Sequence, residues 1–325
     1  MIIIGIMNNT NALPSIVFFG TPNFASHCLN ALLNVGFPVN GVVTAPDRKA
    51  GRGKKISASA VKILAEEHEL KILQPTNLKD PEFIDQLKKL QAEVFVVVAF
   101  RMLPRIVWAL PKLGTMNLHA SLLPNYRGAA PINWVLINGE TRTGLTTFLI
   151  NEEIDKGAIL LQKEMNIDPE DDMGCLHDKL LNIGGPLIRD TLIKLNEGNL
   201  KPLQQQLTGT ECKAPKLSPD NTRLNWEAPL EKIKNTVRGL SPYPGAWTLF
   251  ENDGIQDRLK ILKAKAVANE HGHPLKKIVI EESKILIATA EGYLNCLEIQ
   301  LPNKKRMTAK ALLNGYKFTS NARVL

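Results

Sequence analysis

The sequence is poor in cysteine, and its four, Cys28, Cys175, Cys212 and Cys296, stand far apart with no CxxC spacing. That pattern excludes a zinc ribbon and a disulfide scaffold, and it fits thiols kept free in a reducing cytoplasm. No apolar run approaches the ~20 residues that a membrane helix needs. No Lys or Arg precedes Arg48, so the apolar opening MIIIGIMNN lacks the basic start of a signal peptide. A dinucleotide fingerprint is missing too. The first strand-turn-helix carries Gly20-Thr21-Pro22 where GxGxxG would be needed, and one Gly followed by Pro does not let a pyrophosphate approach the backbone.

What remains is an ordinary soluble composition on a long chain. At 325 residues, 44% hydrophobic and 22% charged, the chain has room for two domains with sizeable cores, which excludes disordered and collagen-like classes. Its charge is divided unevenly. Residues 1–212 hold 21 Lys+Arg against 21 Asp+Glu, and residues 213–325 hold 19 against 11, so the whole +8 excess lies in the last third. A neutral front and a basic end suggest chemistry in one part and a polyanionic partner held by the other; the plainer reading is charge for solubility.

The front alternates strand and helix. Ile16–Phe19, Val39–Thr44, Lys71–Leu73, Val94–Val98 and Thr115–Leu118 read as strands. Helices are expected through Asn34, from a Ser57 cap to about His68, around Pro81–Gln91 and from Gly128 to Asn138. Val94–Val98 is apolar at consecutive positions, as in a strand covered on both faces. Such alternation predicts an α/β fold with a parallel, doubly wound, Rossmann-like sheet and ligands at the carboxyl ends of its strands. Thr143–Ile150 and Ala158–Asn166 look like further strands, and Met173–Leu195 like a long helix. Residues 201–225, rich in Gln, Thr, Pro, Lys and Ser, read as a linker. Beyond a helix at Pro229–Gly239, five short strand-like runs between Ala246 and Ile299 predict a small OB-like β-barrel suited to nucleic acid.

Three features carry chemistry. Asn117 and His119 stand two apart at the end of a predicted strand, on one face, where an amide and an imidazole can stabilise an oxyanion. Loop capping is the plainer role for each taken singly. Asp155, in a turn between two predicted strands, is placed to orient His119 or to take a proton; a solvated turn carboxylate is the alternative. Five basic residues fall in the eight from Arg48 to Lys55, with Gly51 and Gly53 among them, a composition suited to backbone phosphates or to a solvated loop. The spacing fails the Walker A pattern. The scattered histidines make metal binding a weak reading.

At these residues the sequence resembles the methionyl-tRNA formyltransferase family. The resemblance runs from about Ser15 to Leu325 through Phe19-Gly-Thr-Pro22, Pro46-Asp-Arg48, Gly51-Arg-Gly-Lys-Lys55, Asn117-x-His119-x-Ser-Leu-Leu-Pro124 and Tyr126-Arg-Gly-Ala-Ala-Pro131. It continues through Asp155, Gly157, Ala214-Pro-Lys-Leu217, Pro242-Tyr-Pro-Gly-Ala-Trp247 and Pro302-Asn-Lys-Lys305. It implies formyl transfer from 10-formyltetrahydrofolate to the α-amine of methionine on initiator tRNA, in the cytoplasm, with no metal and no obligatory protein partner, by a monomer. Asn117, His119 and Asp155 match the catalytic trio. Ser121, Leu122, Leu123 and Pro124 match the folate-binding loop, and Arg52, Lys54 and Lys55 match a loop that reaches the tRNA acceptor end. The implied division is a catalytic domain over 1–206 (1–14 outside the resemblance), a linker over 207–225 and an OB-like tRNA-binding domain over 226–325.

The chain departs from the family at several points. Phe100-Arg101 stands where Tyr-Gly is usual, Glu153 and Lys156 flank Asp155, Tyr243 replaces a Trp, and Met7 is an alternative start. Two rival functions follow from the same residues. One is formyl transfer to a small amine or amino-sugar nucleotide, which leaves the basic segments unexplained. The other is a catalytically silent RNA-binding protein, which leaves Asn117, His119 and Asp155 unexplained.

Overall fold

The computed structural model describes residues 13–50 and 55–325. The chain forms two compact units. The first comprises the chain up to Arg127 with Gly144–Glu164 and Lys179–Glu211, and the second gathers Gly128–Thr143, Met165–Asp178 and Cys212–Leu325.

The first unit is built on seven strands: β1 (Ile16–Gly20), β2 (Val39–Val43), β3 (Ile72–Leu73), β4 (Val94–Val98), β5 (Thr115–His119), β6 (Arg142–Leu149) and β7 (Ile159–Asn166), in the spatial order β7-β6-β5-β4-β1-β2-β3. Ile16 to Phe19 are fully buried and all of β4 is buried, as their consecutive apolar residues require. The five strands β5, β4, β1, β2 and β3, consecutive in that order, pair in parallel. The parallel order expected from the front βα units ends at β5: the further strand β6 runs antiparallel to it, with Asn117 opposite Phe148 and His119 opposite Thr146. From β1 the chain winds outward to β2 and β3, then crosses to β4 and β5 on the other side. The switch between β1 and β4 therefore opens a crevice at the strands' carboxyl ends. Gly20, at the end of β1, is a packing glycine: a Cβ there would lie 2.6 Å from the Ala25 Cβ.

Two helix starts also differ from expectation. The helix Ala60–Glu67 is capped by Ser59, whose Oγ accepts from the Lys62 N–H at 3.0 Å, because Ser57 belongs to a short strand, Lys55–Ser57, paired with Arg48–Ala50. The helix expected from Gly128 begins at Pro131, because Arg127–Gly128 pairs as a strand with Lys213–Ala214.

The second unit is an antiparallel sheet of β8 (Ala246–Asn252), β9 (Ile255–Ala268), β10 (Ile278–Glu281), β11 (Lys284–Thr289), β12 (Gly292–Gln300) and β13 (Arg323–Val324), ordered β10-β11-β12-β9-β8-β13. Its outer strands meet: the Ile278 N–H donates to the Ala322 carbonyl and the Val324 N–H to the Lys276 carbonyl, both at 2.9 Å, so the sheet closes as an OB-like barrel. Register shifts between Ile261 and Ala264 let the long β9 bend around the closure. Leu259, Ile261, Ile285, Ile287, Leu294 and Ile299 fill the interior, and Ile233, Val237 and Leu240 of the helix Leu230–Leu240 pack on it together with Ile137. Among the described residues, no helix is long and apolar enough to cross a membrane.

Candidate functional site

The carboxyl end of β5 delivers Asn117 and His119 to one face of the sheet, two residues apart. His119 is 6% exposed. Its Nε2 lies 2.8 Å from the Tyr126 carbonyl oxygen and its Nδ1 lies 3.8 Å from Asp155 Oδ2. A carbonyl only accepts, so Nε2 carries a hydrogen, and the edge left for chemistry is Nδ1, which faces Asp155. At 3.8 Å the two form a charge pair when the ring is protonated rather than a direct hydrogen bond. Asn117 is half-buried, and among the described residues no hydrogen bond engages its carboxamide.

Asp155 stands at φ 54°, in the left-handed region that costs a non-glycine residue energy and needs support from its surroundings. Three features of the loop supply it. The Asn151 Oδ1 accepts from the Glu153 N–H at 2.9 Å, and the Leu149 N–H donates to the Ala158 carbonyl at 2.9 Å. Gly157 approaches so closely that a Cβ would lie 1.6 Å from the Leu149 carbonyl oxygen, a contact open only to glycine. Lys156 pairs with Glu153, so these two departures from the family pattern neutralise each other.

After His119 the chain turns through Ser121 to Pro124 around a hydroxyl from β6. Thr146 Oγ1 donates to the Ser121 carbonyl at 2.6 Å and accepts from the Leu123 N–H at 3.1 Å and from Gln162 Nε2 at 2.9 Å. The same Gln162 nitrogen reaches the Leu123 carbonyl at 2.9 Å, and Ser121 Oγ donates to the Asn125 carbonyl at 2.6 Å. Ser121 and Leu123 are thus buried shapers of the loop, while Leu122 and Pro124 are half-exposed. Thr146 and Gln162 carry no motif, since an isolated polar residue in a strand gives no sign of what it holds.

Beyond the carboxyl end of β4, a cavity of about 650 Å³ is lined by Thr76, Leu78, Lys79, Arg101, Met102 and Ile106, among others. Arg101 fastens one wall to the other: its Nη1 donates to the Thr76 carbonyl at 2.8 Å and its Nη2 to the Pro75 carbonyl. Desolvation lowers the guanidinium's pKa, with Arg48 nearby adding to the effect. Arg105 reaches Glu152 Oε1 at 2.9 Å, linking this wall to the loop that carries Asp155.

The stem of the basic loop is anchored. Asp47 accepts from Lys62 Nζ at 2.6 Å and from Gln74 Nε2 at 2.9 Å, and these bonds hold its carboxyl below the usual range. Arg52 and Lys54 lie outside the described residues; Lys55 begins the strand Lys55–Ser57. In the second unit, Arg258 of β9 stacks 4.0 Å from the Trp247 ring and Arg223 stands 5.6 Å from it, with Lys263 and Lys265 exposed farther along β9. The buried thiols are poor nucleophiles: burial pushes Cys28 up to about 12 and raises Cys296 as well. Among the described residues, no three His, Cys, Asp or Glu side chains converge as a metal site would require.

Two family models match the chain: formyl transferase over residues 14–192, and the formyl transferase C-terminal domain over residues 216–317. The methionyl-tRNA formyltransferase of Flavobacterium johnsoniae is 47% identical over 309 residues, covering 95% of this chain and 98% of that one. That of Bacteroides fragilis is 44% identical over 309 residues, covering 94% and 95%. Among solved structures, the sugar 3N-formyl transferase WlaRD, crystallised in the presence of dTDP and 5-N-formyl-THF, aligns with a TM-score of 0.63 at 19% identity over 90% of this chain and 99% of that one. An N-formyltransferase from Helicobacter canadensis, in complex with folinic acid and dTDP-3-aminofucose, aligns with a TM-score of 0.63 at 18% identity, covering 88% and 98%. At such identities these two structures bear on the fold alone.

Proposed function

The chain belongs to the formyl transferase family, and from that premise we propose that it transfers the formyl group of 10-formyltetrahydrofolate to the α-amine of methionyl-initiator tRNA, giving formylmethionyl-tRNA for translation initiation. Relatives of that name match nearly end to end, and they favour the tRNA acceptor over an amino sugar. The single observation that carries the chemistry is His119, with Nε2 fixed by the Tyr126 carbonyl and Nδ1 facing Asp155, two residues from Asn117.

In this reading the amine attacks the formyl carbon and the new N–C bond forms as the carbonyl oxygen becomes an oxyanion. The Asn117 carboxamide donates to that oxygen, where a preorganised donor acts most strongly. The proton released by the amine passes to His119 Nδ1, and the imidazolium is paired by Asp155. Breakage of the formyl carbon–N10 bond returns that proton to N10, leaving tetrahydrofolate. An α-amine near pKa 7.7–8 is a fair nucleophile at neutrality, so alignment contributes more than basicity. Tetrahydrofolate's formyl derivative supplies the one-carbon unit as a co-substrate, with Ser121, Leu122, Leu123 and Pro124 as its loop.

The division of labour follows the charge. Residues 1–206 perform the transfer and residues 226–325 hold the tRNA body through basic groups such as Arg258, with 207–225 between them. Arg52, Lys54 and Lys55 meet the acceptor end. The enzyme acts as a cytoplasmic monomer. Transfer of labelled formyl to charged initiator tRNA tests the reading directly; an amino-sugar nucleotide or glycinamide ribonucleotide accepted in its place would replace it with the small-amine alternative.

A further inference from the structure

The segment Leu203–Glu211 lies in the stretch that reads as linker, yet it contacts both sides of the His119 imidazole's surroundings. It begins on the sheet: Leu203 and Ile159 of β7 exchange backbone hydrogen bonds at 2.9 and 2.8 Å. Two residues on, Gln205 Nε2 donates to the carbonyls of Asp155 at 2.8 Å and Gly157 at 2.9 Å. It thereby clasps the backbone that holds Asp155 in its left-handed conformation, with the carboxylate turned to Nδ1. Six residues farther, Glu211 folds the segment back on itself, accepting from the Thr208 N–H, from Thr208 Oγ1 at 3.0 Å and from the Gly209 N–H at 3.2 Å. Its other oxygen lies 3.6 Å from Arg127 Nη2, and both side chains are largely buried. Arg127 directly follows Tyr126, itself left-handed at φ 60°, whose carbonyl takes the hydrogen of Nε2.

We propose that Gln205 and Glu211 are positioning residues for His119, one fixing the group that faces Nδ1 and the other the carbonyl that binds Nε2. Neither touches a reacting atom. The two partners of the ring stand on separate loops, each with a left-handed residue, and a short strap at right distance from both sets their spacing. The proposal rests on the formyl-transfer reading for its kinetics but not for its geometry.

The test uses Gln205→Ala, Gln205→Glu and Glu211→Gln in the full chain. Gln205→Glu keeps the size and removes both donated hydrogens, so it separates clasping from packing. Each variant is expected to lower kcat about tenfold or more, since a displacement near 1 Å is enough for such a loss, while KM for donor and tRNA stays within about twofold. Long-range proton–nitrogen spectra of the His119 ring are expected to show an Nε2–H ring in the unmodified protein and a changed ring signal in each variant. Full activity in Gln205→Glu with loss in Gln205→Ala would reduce Gln205 to packing and overturn the proposal. So would unchanged ring spectra in all three variants. If the unmodified protein transfers no formyl group to charged tRNA, the functional reading fails while the spectra still decide the strap.

Discussion

The Tyr126 carbonyl sets the tautomer of His119: by accepting the Nε2 hydrogen at 2.8 Å it leaves Nδ1 as the edge that faces Asp155. A backbone acceptor cannot be exchanged by mutation of its side chain, so the choice of nitrogen is built into the path of the loop. The result is an imidazole whose one open ring nitrogen faces a carboxylate.

Removing the ring or the amide beside it is expected to have large effects. Asn117→Ala should lower kcat on charged tRNA by about a hundredfold or more, the usual loss for one oxyanion-stabilising donor, and His119→Ala should lower it by about a hundredfold or more as the loss of a positioned proton acceptor. Steady-state kinetics at saturating tRNA measures this. Near-normal turnover in both variants would remove the pair from the reaction.

The Asp155 loop offers a structural counterpart. Gly157→Ala would place a Cβ 1.6 Å from the Leu149 oxygen, so β6 or the loop must move. A cost of about 1–3 kcal/mol is expected from such overpacking, together with a lower kcat as Asp155 shifts from His119. Denaturant unfolding and kinetics read the two effects. Gly272→Ala, where nothing lies within 4 Å of the added Cβ, serves as the control and should change neither.

Much of this site is legible in the sequence, and the limits are physical. Asn117 and His119 stand out because a strand's period of two puts both on one face at the end of an apolar run. Asp155 stands out as an acid in a turn. The Tyr126 carbonyl does not, since every residue has a carbonyl and only the loop's path selects this one. Gln205 is hidden for another reason: its contact with Asp155 spans 50 residues, and glutamines in a polar stretch look like solvent-facing linker. In the fold, the buried strands show themselves by consecutive apolar residues, and β6 too is expected as a strand over Thr143–Ile150, but its antiparallel course is not, because direction leaves no mark on composition.

Arg101 stands where the family pattern has glycine, and its guanidinium joins two loops through the Pro75 and Thr76 carbonyls. Arg101→Ala should loosen the cavity wall and raise the donor KM about fivefold, in line with the ~1 kcal/mol of a typical hydrogen bond, with tRNA KM unchanged. Arg101→Lys should not restore it, since an ammonium lacks the planar fork that spans two carbonyls. A loss confined to tRNA affinity would move Arg101 to the acceptor side.

Acid should weaken the strap. Glu211 is held below the ordinary glutamate range, first by the Thr208 N–H. A carboxyl whose folded pKa is depressed contributes stability that is fully present above its unfolded value and is lost as pH falls through the folded one. The melting temperature of the unmodified protein should therefore fall below about pH 4.3 more steeply than that of Glu211→Gln. Parallel curves for the two proteins between pH 7 and pH 3 would show that these hydrogen bonds contribute nothing to the acid transition.

The last expectation concerns the grip on the tRNA body. Arg258, Lys263 and Lys265 project from the exposed side of β9, and among the described residues none of them has a carboxylate within 4 Å. Unpaired cations in a row suit phosphates, and each phosphate contact removed should reduce the log–log salt dependence of binding by about one unit. Arg258 has a second attachment, its stacking at 4.0 Å on Trp247, which holds the guanidinium in place before binding. Lys263→Ala and Lys265→Ala should flatten the slope with little change in kcat at saturation. Arg258→Ala should do the same with a larger loss of affinity, because a pre-positioned cation pays less entropy on binding. On the proposed placement of Arg52 at the acceptor end, Arg52→Ala should behave in the opposite way, lowering kcat more than the slope, because one lost contact would misalign the attacking amine. Filter binding from 50 to 200 mM salt, set beside turnover at saturating tRNA, separates the two. An unchanged slope in the Arg258, Lys263 and Lys265 variants would move the tRNA body off this face of the barrel.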